Sequence, residues 1–478
     1  MNSKNEDNNN NDEKDIEKKE IIINNISNEN KKNEKDKSTE KKEKESNEKI
    51  YKENFNNNII PLNEEKEKKI EEKNTEKNTE KEKSLSKQVK TRRVPIKNWP
   101  CRSLNEYKII NAPVGKGSYG IVYKAYYIGK EEYRSLYGIP DVVALKQIKT
   151  EKEKEGFPIT ALREIMILKE LDHKNILKLL EVVVSEPKKE KKIEEGKINR
   201  DVYLVFEYME QDLGTILQRK IDFDLSQIKY IFHELVLGLK YLHENNILHR
   251  DLKPLNILLN AKNEIKIGDF GLARIFSNSP NVKKIYTNQV VTVCYRAPEL
   301  LLGETNYSTK IDIWSLGCIL LELLTRKTTF SYNEEKLVFL SICELCGTPN
   351  EKNWPHVTEL KNYDLLIPKE EKTSKINKTT FPNYDDVTLD IIKKMLTLNP
   401  EERITLDEIL KHPFLTSHEP KMCKAEDMPK IEEEMHWYRY REEMKKMEME
   451  QQKQMVGKSD YNRKNEKSFL GNKRKKKS

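Results

Sequence analysis

Between residues 107 and 209, short runs of β-branched and aromatic residues alternate with polar turns. The runs YKIINAP, GIVYKAYYIG and DVVALKQIK come first, a helical pattern begins near Thr160, and the runs ILKLLEVVV and DVYLVFEYM follow. Runs of this length and composition predict strands. The pattern therefore indicates a small, mostly antiparallel sheet with one main helix.

After Gln211 the apolar positions recur with helical periodicity, as in SQIKYIFHELVLGLKYLHENN, and this pattern continues to Phe414. Apolar residues at this spacing lie on one face of a helix. We therefore expect an α+β protein with a larger, mainly helical second lobe. A ligand is expected in the crevice between the lobes, with a hinge near residues 207–212.

The two ends of the chain differ in composition from this central part. Charged residues make up 35% of the chain and hydrophobic residues 36%. The polar residues are concentrated at the ends, where too little apolar surface is available to offset the entropy of ordering. We expect a disordered Asn/Lys/Glu-rich tail at 1–100, a folded domain at 107–415 with lobes at 107–209 and 210–415, and a charged extension at 416–478.

Charge and cysteine content exclude several classes of protein. The net charge of +8 is modest for 478 residues, so no direct nucleic-acid binding is expected. No stretch approaches the roughly eighteen apolar residues of a membrane span, and no membrane partner is expected. Cys343 and Cys346 form a C-x-x-C without a second ligand pair, so a buried helical face is favoured over a zinc site. The six cysteines do not suggest a disulfide framework, which favours an intracellular protein.

The segment VGKGSYGIV places Gly115, Gly117 and Gly120 between two predicted strands. Glycines at such positions let backbone amides approach phosphate oxygens without an intervening side chain. A strand follows the glycines, whereas a dinucleotide-binding fingerprint requires a helix there. The next strand contains VALK, in which Lys146 can hold phosphates.

Four further residues carry candidate chemistry: one carboxylate that needs a cation beside it, and three oxygen donors that could bind a metal ion. Glu164, in PITALREI, is predicted to face inward on its helix and to need a cation, for which Lys146 is the candidate. The run HRDLKPLNIL contains Asp251 and Asn256, and KIGDFGLAR contains Asp269. Oxygen donors beside a phosphate cradle suit Mg²⁺.

The Gly-rich loop, VALK, HRDLKPxN, DFG and APE motifs follow one another at suitable separations, and the chain resembles a eukaryotic protein kinase from about Tyr107 to Leu415. The resemblance implies the bilobal protein kinase fold, with an antiparallel-sheet N-lobe and a mainly helical C-lobe. It also implies ATP and Mg²⁺ as cofactors and transfer of the γ-phosphate to serine or threonine.

Catalytic roles follow from the same resemblance. Asp251 would accept the substrate hydroxyl proton, Lys253 would steady the transferred phosphoryl group and Thr292 would complete the catalytic loop. Asn256 and Asp269 would hold magnesium. The residues implied to bind ATP are Val114, Gly115, Lys116, Gly117, Ser118, Tyr119, Gly120, Val122, Ala144, Lys146, Phe206, Glu207, Met209, Asp212 and Leu258.

The runs GFPITALREI, RAPELLLG and GTPNEKNWP resemble the cyclin-dependent kinases, whose PITALREI-type helix docks a cyclin. CRSLNEY, EYMEQDL and MPKIEEEMHWYRYREEMKK are similar to members that act in transcription and RNA processing. The resemblance implies a cyclin subunit and Ser/Thr-Pro protein substrates, with the C-terminal tail of RNA polymerase II as a candidate. HRDLKPLN is closer to the cell-cycle members, so a cell-cycle kinase stays the alternative.

Regulation is implied at one threonine of the activation loop. Thr287 matches the residue that an activating kinase phosphorylates in this family. Arg163, Arg250 and Arg274 match the three arginines that receive its phosphate.

Two other pairs of residues match regulatory or substrate positions. Ser118 and Tyr119 match sites of inhibitory phosphorylation in some relatives, although both are also ordinary turn residues. Val291 and Arg296 match the pocket for a proline that follows the phosphorylated residue.

Three residues are implied to have structural roles, and two features depart from the family pattern. Glu299 would pair with Arg403, and Asp312 would brace the catalytic loop.

Cys294 stands where relatives usually carry tryptophan, and extra residues at 131–137 separate the second and third strands.

Two rival functions are weighed against the kinase. A pseudokinase scaffold would be expected to lose Lys146, Asp251 or Asp269, and all three are present. A nucleic-acid-binding protein using its lysine-rich tails would be expected to interleave aromatic residues, which the tails lack. The closing run GNKRKKKS predicts nuclear localisation, with a cytoplasmic fraction allowed; a solvated tail end is the alternative.

Overall fold

The computed structural model describes residues 102–116, 120–149, 157–187, 200–219, 221–276, 292–430, 434–436, 438–447 and 449. All of them belong to one compact unit, Lys97–Ser478. The predicted tail at 1–100 lies outside the described residues, as does the closing run GNKRKKKS.

A six-stranded sheet forms the N-lobe. The strands are β1 (Arg102–Ser103), β2 (Tyr107–Lys116), β3 (Gly120–Tyr127), β4 (Val142–Ile148), β5 (Leu179–Val184) and β6 (Val202–Glu207). Their order is β1-β5-β6-β4-β3-β2, and neighbouring strands are antiparallel except for β1 and β5. Burial alternates along β5, as expected for a sheet with one face on a core.

Two helices accompany this sheet, α1 (Glu131–Tyr137) and α2 (Ile159–Glu170). The sequence predicted the second as the main helix and the first merely as extra residues. Tertiary contacts account for α1: its rings Tyr133 and Tyr137 stack 6.3 Å apart, and the Arg102 guanidinium lies 4.8 Å from the centroid of Tyr133. A cation over aromatic faces holds the short helix against β1.

The C-lobe is mainly helical. Its longest helix opens with a capping box, in which the Asp224 side chain accepts from the Gln227 amide and the Gln227 side chain bonds back. The helices are α3 (Leu213–Gln218), α4 (Leu225–Glu244), α5 (Pro298–Leu301), α6 (Lys310–Thr325), α7 (Glu335–Cys346), α8 (Tyr363–Leu366), α9 (Asp386–Met395), α10 (Leu406–Lys411) and α11 (Pro413–Thr416). Most of α6 is buried, so this helix runs through the centre of the lobe.

Five short strands lie among these helices and were not predicted from periodicity. Their bounds are β7 (Gln211–Asp212), β8 (Ile247–Leu248), β9 (Ile257–Leu259), β10 (Ile265–Ile267) and β11 (Arg274–Ile275). They form a three-stranded sheet in the order β10-β9-β7 and a two-stranded sheet of β11 and β8. The loops that carry the predicted catalytic residues leave from the ends of β8 and β10.

Within the described ranges, none of the helices combines the length and the apolar character needed to cross a membrane.

Candidate active site

A cavity of about 410 Å³ collects the described residues that were predicted to bind ATP. The Gly-rich segment, β4 and the hinge form its N-lobe side, and the loop after β8 and residues around β9 and β10 form its C-lobe side. These predicted residues line it: Val114, Gly115, Lys116, Gly120, Val122, Ala144, Lys146, Phe206, Glu207, Met209, Asp212 and Leu258. Gly117, Ser118 and Tyr119 lie outside the described residues.

One glycine of the loop is sterically required. A Cβ atom on Gly120 would lie 2.4 Å from the backbone oxygen of Gln147, since β3 and β4 approach closely there. A Cβ atom on Gly115 would stay 3.4 Å from Val122, so this position has more room. Close strand packing therefore accounts for Gly120 independently of any nucleotide.

The ion pair predicted between Lys146 and Glu164 is present. Lys146 Nζ lies 2.6 Å from Glu164 Oε1 and 3.2 Å from Asp269 Oδ1. The Glu164 side chain is 2% exposed, whereas that of Asp269 is 38% exposed. The lysine thus links a buried carboxylate on α2 to a carboxylate that faces the cavity.

Electrostatics in this trio favour the charged forms of Lys146 and Asp269. Burial opposes the ammonium, but the carboxylates of Glu164 and Asp269 outweigh it and raise the pKa of Lys146. The Lys146 ammonium in turn holds the pKa of Asp269 below its usual range. An ionised Asp269 is the form that can bind a metal ion.

Asp251 lies at the centre of a second network. Its Oδ1 accepts from the Thr292 amide at 3.1 Å and from Thr292 Oγ1 at 3.0 Å. Its Oδ2 accepts from Lys253 Nζ at 2.6 Å and from Asn256 Nδ2 at 3.1 Å. Lys253 Nζ also donates to Thr292 Oγ1 at 2.9 Å. These contacts bring together Asp251, Lys253 and Thr292, which were assigned catalytic roles, and Asn256, which was assigned to magnesium.

Strained backbone positions flank this network. Arg250 and Asp269 have φ values of 63° and 58°, a region that non-glycine residues seldom adopt. Asp312 stabilises the first of them, because its carboxylate accepts from the backbone amides of His249 and Arg250 at 3.0 and 2.9 Å. Burial opposes the charge on Asp312, but the bond to His243, the nearby His249 and the bond from the Arg250 amide hold its pKa below its usual range.

The donors available for a metal ion fit magnesium. The amide nitrogen of Asn256 donates to the Asp251 backbone oxygen at 2.7 Å, which leaves the amide oxygen as its metal-binding atom. Mg²⁺ commonly takes one or two protein oxygens together with phosphate oxygens and water. Among the described residues, no group of three His, Cys, Asp or Glu residues is placed to bind a metal.

Two acidic side chains at the hinge, those of Glu207 and Asp212, belong to residues that line the cavity and are bonded within the protein. Phe206 is buried at the end of β6. Glu207 Oε1 bonds the Lys178 amide at 2.8 Å and pairs with Lys266 at 3.0 Å. The carboxylate of Asp212 caps α3 through the amide and hydroxyl of Thr215, at 2.7 and 2.8 Å.

A C-terminal segment also reaches the cavity, and sequence reasoning missed it. We call residues 434–436 and 438–447 the C-terminal strap. His436 Nε2 lies 2.9 Å from the Met209 backbone oxygen, and its ring packs edge-on against Tyr208. Both His436 and Tyr438 line the cavity. The strap therefore forms an outer rim at the hinge.

Two further contacts of the strap reach β2 and β3. Glu434 pairs with Lys124 of β3, and it accepts from the Tyr208 hydroxyl at 3.3 Å. Arg439 donates to the Ala112 backbone oxygen at 3.3 Å.

The aromatic run HWYRY was a visible signal, although the sequence analysis assigned it no position. Leu177, Tyr208 and Leu255 also line the cavity and were not predicted.

The three arginines predicted to receive a phosphate come from elements that meet. The helix α2, which carries Arg163, contacts β11, where Arg274 lies, and β11 pairs with β8. Arg250 follows β8 and donates to Leu272 O and Tyr307 Oη, both at 2.8 Å. Thr287 lies outside the described residues, so its phosphorylation stays a prediction.

The short segment Val293–Tyr295, which follows the predicted activation loop, contacts α6 and α7. Arg296 pairs with Glu335, whereas its predicted companion Val291 lies outside the described residues. Glu299 and Arg403 form the predicted pair, with both oxygens bonded at 2.8 and 2.9 Å in a buried site.

Comparisons with known proteins agree with this geometry. A family model described as "Protein kinase domain" matches residues 109–415. Cyclin-dependent kinase 12 of Caenorhabditis elegans is 41% identical over 334 residues, covering 70% of this chain and 44% of that protein. Cyclin-dependent kinase C-3 of Oryza sativa subsp. japonica is 43% identical over 300 residues, covering 62% of this chain and 87% of that protein.

A yeast relative and a solved structure extend the comparison. CTD kinase subunit alpha of Schizosaccharomyces pombe is 42% identical over 308 residues, covering 64% of this chain and 48% of that protein. A structure of the CAK complex from Chaetomium thermophilum bound to ATP-gamma-S matches with a TM-score of 0.59 and 32% identity, covering 68% of this chain and 96% of that one.

The chain belongs to the protein kinase family and, within it, to the cyclin-dependent kinases. The prediction of a bilobal kinase fold is confirmed, and ATP and Mg²⁺ are the cofactors of such a kinase. The chain spans 44%, 63% and 64% of the length of three of its curated relatives.

Proposed function

We propose that this chain transfers the γ-phosphate of ATP to serine or threonine residues that precede proline in protein substrates. The network around Asp251 carries the proposal. Its carboxylate is fixed by Thr292 and Asn256 and accepts the substrate hydroxyl proton. Lys253 Nζ, shared between Asp251 and Thr292, places a positive charge beside the transferred group.

Nucleotide binding is assigned to the opposite side of the same cavity. Magnesium-bound ATP supplies the phosphoryl group, and Asp269 and Asn256 would hold the metal. Lys146 is positioned by Glu164 and directs its charge at the phosphates. Exclusion of water between the lobes strengthens each of these charge interactions.

A cyclin is the proposed activating partner, docked on α2. This helix exposes the apolar side chains of Ile159, Leu162 and Met166, while Glu164 points inward. A docked partner that covers these residues would stabilise the inward position of Glu164, which is a population shift. Phosphorylation of Thr287 by an activating kinase would add to this population shift. Phosphates on Ser118 and Tyr119 would instead oppose nucleotide binding.

The proposed substrate is a repetitive Ser-Pro sequence such as the C-terminal tail of RNA polymerase II. One relative is itself named CTD kinase subunit alpha, which supports this choice. Nuclear localisation is part of the proposal and rests on the basic run GNKRKKKS. A cell-cycle kinase is the alternative.

Affinity purification of the full-length chain from native extract, followed by a kinase assay, tests the proposal. We expect a cyclin to co-purify, and a Ser-Pro repeat peptide to be phosphorylated far better than its Ser-Ala counterpart. Asp251→Asn provides the matched inactive preparation. Equal use of both peptides would contradict proline-directed activity, and a cell-cycle cyclin would favour the alternative.

A further inference from the structure

The chain between α11 and the C-terminal strap is bonded to the C-lobe along its length. We call residues 418–428 the docked segment. The first turn of α4 and the turn between β9 and β10 hold it at three points. These bonds join Cys423 N to Ser226 O at 3.3 Å, Gln227 Nε2 to Asp427 O at 3.2 Å and Asn263 Nδ2 to Ala425 O at 3.2 Å.

A buried lysine of α4 holds the start of the docked segment. Lys229 is 1% exposed, and its Nζ lies 2.6 Å from the backbone oxygens of both His418 and Pro420 and 3.1 Å from His418 Nδ1. An ammonium has three hydrogens, so these three acceptors satisfy it. The nitrogen also lies 5.2 Å from the centroid of the Phe414 ring, which adds a cation–π contact.

The imidazole of His418 extends this contact to another helix. Because an ammonium only donates, His418 Nδ1 accepts from Lys229 and the ring carries its hydrogen on Nε2. His418 Nε2 lies 2.7 Å from Oδ2 of Asp385, the N-cap residue of α9. One lysine thus connects α4, the docked segment and the start of α9.

The charge of Lys229 is not needed to fill its position in the core. Phe232 and Val236 lie on the same side of α4 and are buried apolar residues. An apolar side chain at position 229 would pack there without losing hydration. Burial lowers the pKa of Lys229, because the ammonium is removed from water. The distinctive contribution of this lysine is therefore the attachment of the docked segment.

This attachment limits how far the strap can move from the hinge. Met428, at the end of the docked segment, is 3% exposed and precedes His436 by eight residues. If the segment were released, the preceding buried anchor would be Phe414, twenty-two residues before His436. The chance that a flexible chain end meets a fixed point falls about as the −3/2 power of chain length, so contact between His436 and Met209 would become about fourfold to fivefold less probable.

We propose that Lys229 is a positioning residue for nucleotide binding. It holds the docked segment on α4, and the docked segment keeps His436 within reach of the Met209 backbone oxygen at the rim of the cavity. Lys229 does not line the cavity itself. The inference rests on nucleotide binding by the proposed kinase and assigns to it a residue outside the site.

The substitution Lys229→Met tests the proposal. Methionine is flexible and uncharged, so it fills the helix face while the three bonds are lost. In the full-length chain purified with its native partner, we expect KM for ATP to rise about two- to fourfold with kcat little changed, since the other bonds of the docked segment remain. Direct titration with magnesium and ATP, without peptide, should show the same rise in Kd. Lys240→Met is the matched control, because Lys240 lies on the same helix and pairs with Glu244 and Asp407.

Two further variants separate positioning from a general loss of stability. If Lys229 acts through His436, the double variant Lys229→Met with His436→Ala should have the KM for ATP of His436→Ala alone. About fourteen glycine and serine residues inserted after Lys430 lengthen the connection to His436 as release of the docked segment would. This insertion should raise KM for ATP at least as much as Lys229→Met. It leaves the buried lysine untouched, so it decides the question even if Lys229→Met does not fold.

The possible results separate this inference from the proposed function. An unchanged KM and Kd for ATP in Lys229→Met would overturn the inference, as would an equal rise in Lys240→Met or an unchanged KM in the insertion variant. Additive effects in the double variant would also overturn it, because Lys229 would then act by another route. If the unmodified chain phosphorylates no Ser-Pro peptide, the proposed function fails and the ATP titration still decides the role of Lys229. An unmodified chain that binds no ATP would overturn both.

Discussion

The inner wall and the outer rim of the nucleotide cavity are built in different ways. The inner wall is a set of buried or partly buried charges, Lys146, Glu164 and Asp269, joined at 2.6 to 3.2 Å. At the outer rim, His436 of the C-terminal strap bonds a backbone oxygen of the hinge at 2.9 Å. Charges held out of water interact strongly, whereas rim contacts compete with solvent. The two regions should therefore differ greatly in their effect on catalysis.

The largest effect is expected at the floor of the cavity, from Asp251→Asn. The variant keeps the shape of the side chain and removes the base, so kcat should fall by about a hundredfold or more. Steady-state kinetics on a Ser-Pro peptide measure the loss. The unchanged KM for ATP serves as the internal control, and activity near that of the unmodified chain would contradict the assignment of Asp251 as the base.

The next largest effect is expected at the inner wall, from Glu164→Gln. The amide cannot neutralise Lys146, which still has Asp269 at 3.2 Å and would be drawn toward that carboxylate. We expect kcat/KM to fall roughly tenfold to a hundredfold, equivalent to about 1.4 to 2.8 kcal/mol. Glu131→Gln, on the exposed helix α1, is the matched control. Equal activities of the two variants would show that the buried pair is dispensable.

The inner wall was predictable from sequence because short motifs carry it. Lys146, Asp251 and Asp269 each lie in a short motif, VALK, HRDLKPLN or DFG, that resembles those of protein kinases. Glu164 followed from one helix with a recognisable apolar stripe. Even there, the strained φ values of Arg250 and Asp269 came from the structure. Asp312 was expected to brace the catalytic loop, but its bond to the Arg250 amide shows how a tertiary contact supports a backbone conformation that local propensity opposes.

The outer rim was not predictable for the opposite reason. His436 meets Met209 across 227 residues of sequence, and no local pattern encodes so distant a contact. The helix α1 and the two- and three-residue strands of the C-lobe were missed for a related reason. Elements this short show no periodicity, and their stability comes from partners elsewhere in the chain.

The first test of the rim is His436→Ala. Its ring lines the cavity, so its removal takes contact area from the bound nucleotide and breaks one hydrogen bond to Met209. A bond of this kind contributes about 1 kcal/mol, and we expect KM for ATP to rise about two- to fivefold with kcat little changed. His356→Ala, at an exposed histidine of the C-lobe, is the control. A lower KM would show instead that the strap obstructs the cavity.

The smallest effect is expected from Lys124→Ala, which removes the partner of Glu434. The ammonium also lies 4.5 Å from the centroid of the Tyr208 ring, so both contacts of the lysine stabilise the strap against β3 and the hinge. Partly exposed ion pairs contribute about 0 to 1 kcal/mol, and salt screens them. We therefore expect KM for ATP to rise less than about twofold at low salt. At high salt the difference between the variant and the unmodified chain should vanish, because the ion pair of the unmodified chain is then screened.

A double substitution, Lys124→Ala with Glu434→Ala, makes this test quantitative. If the pair acts as one contact, the double variant should have the same KM for ATP as each single variant, and the effects of the two substitutions should not add. A fall in kcat/KM as large as that expected for Glu164→Gln would contradict the distinction between wall and rim, because it would make the strap part of the catalytic core. A small, salt-dependent rise in KM for ATP would instead show that the two regions have separate roles. The buried charges determine the rate of phosphoryl transfer, and the strap adjusts how tightly the nucleotide is bound.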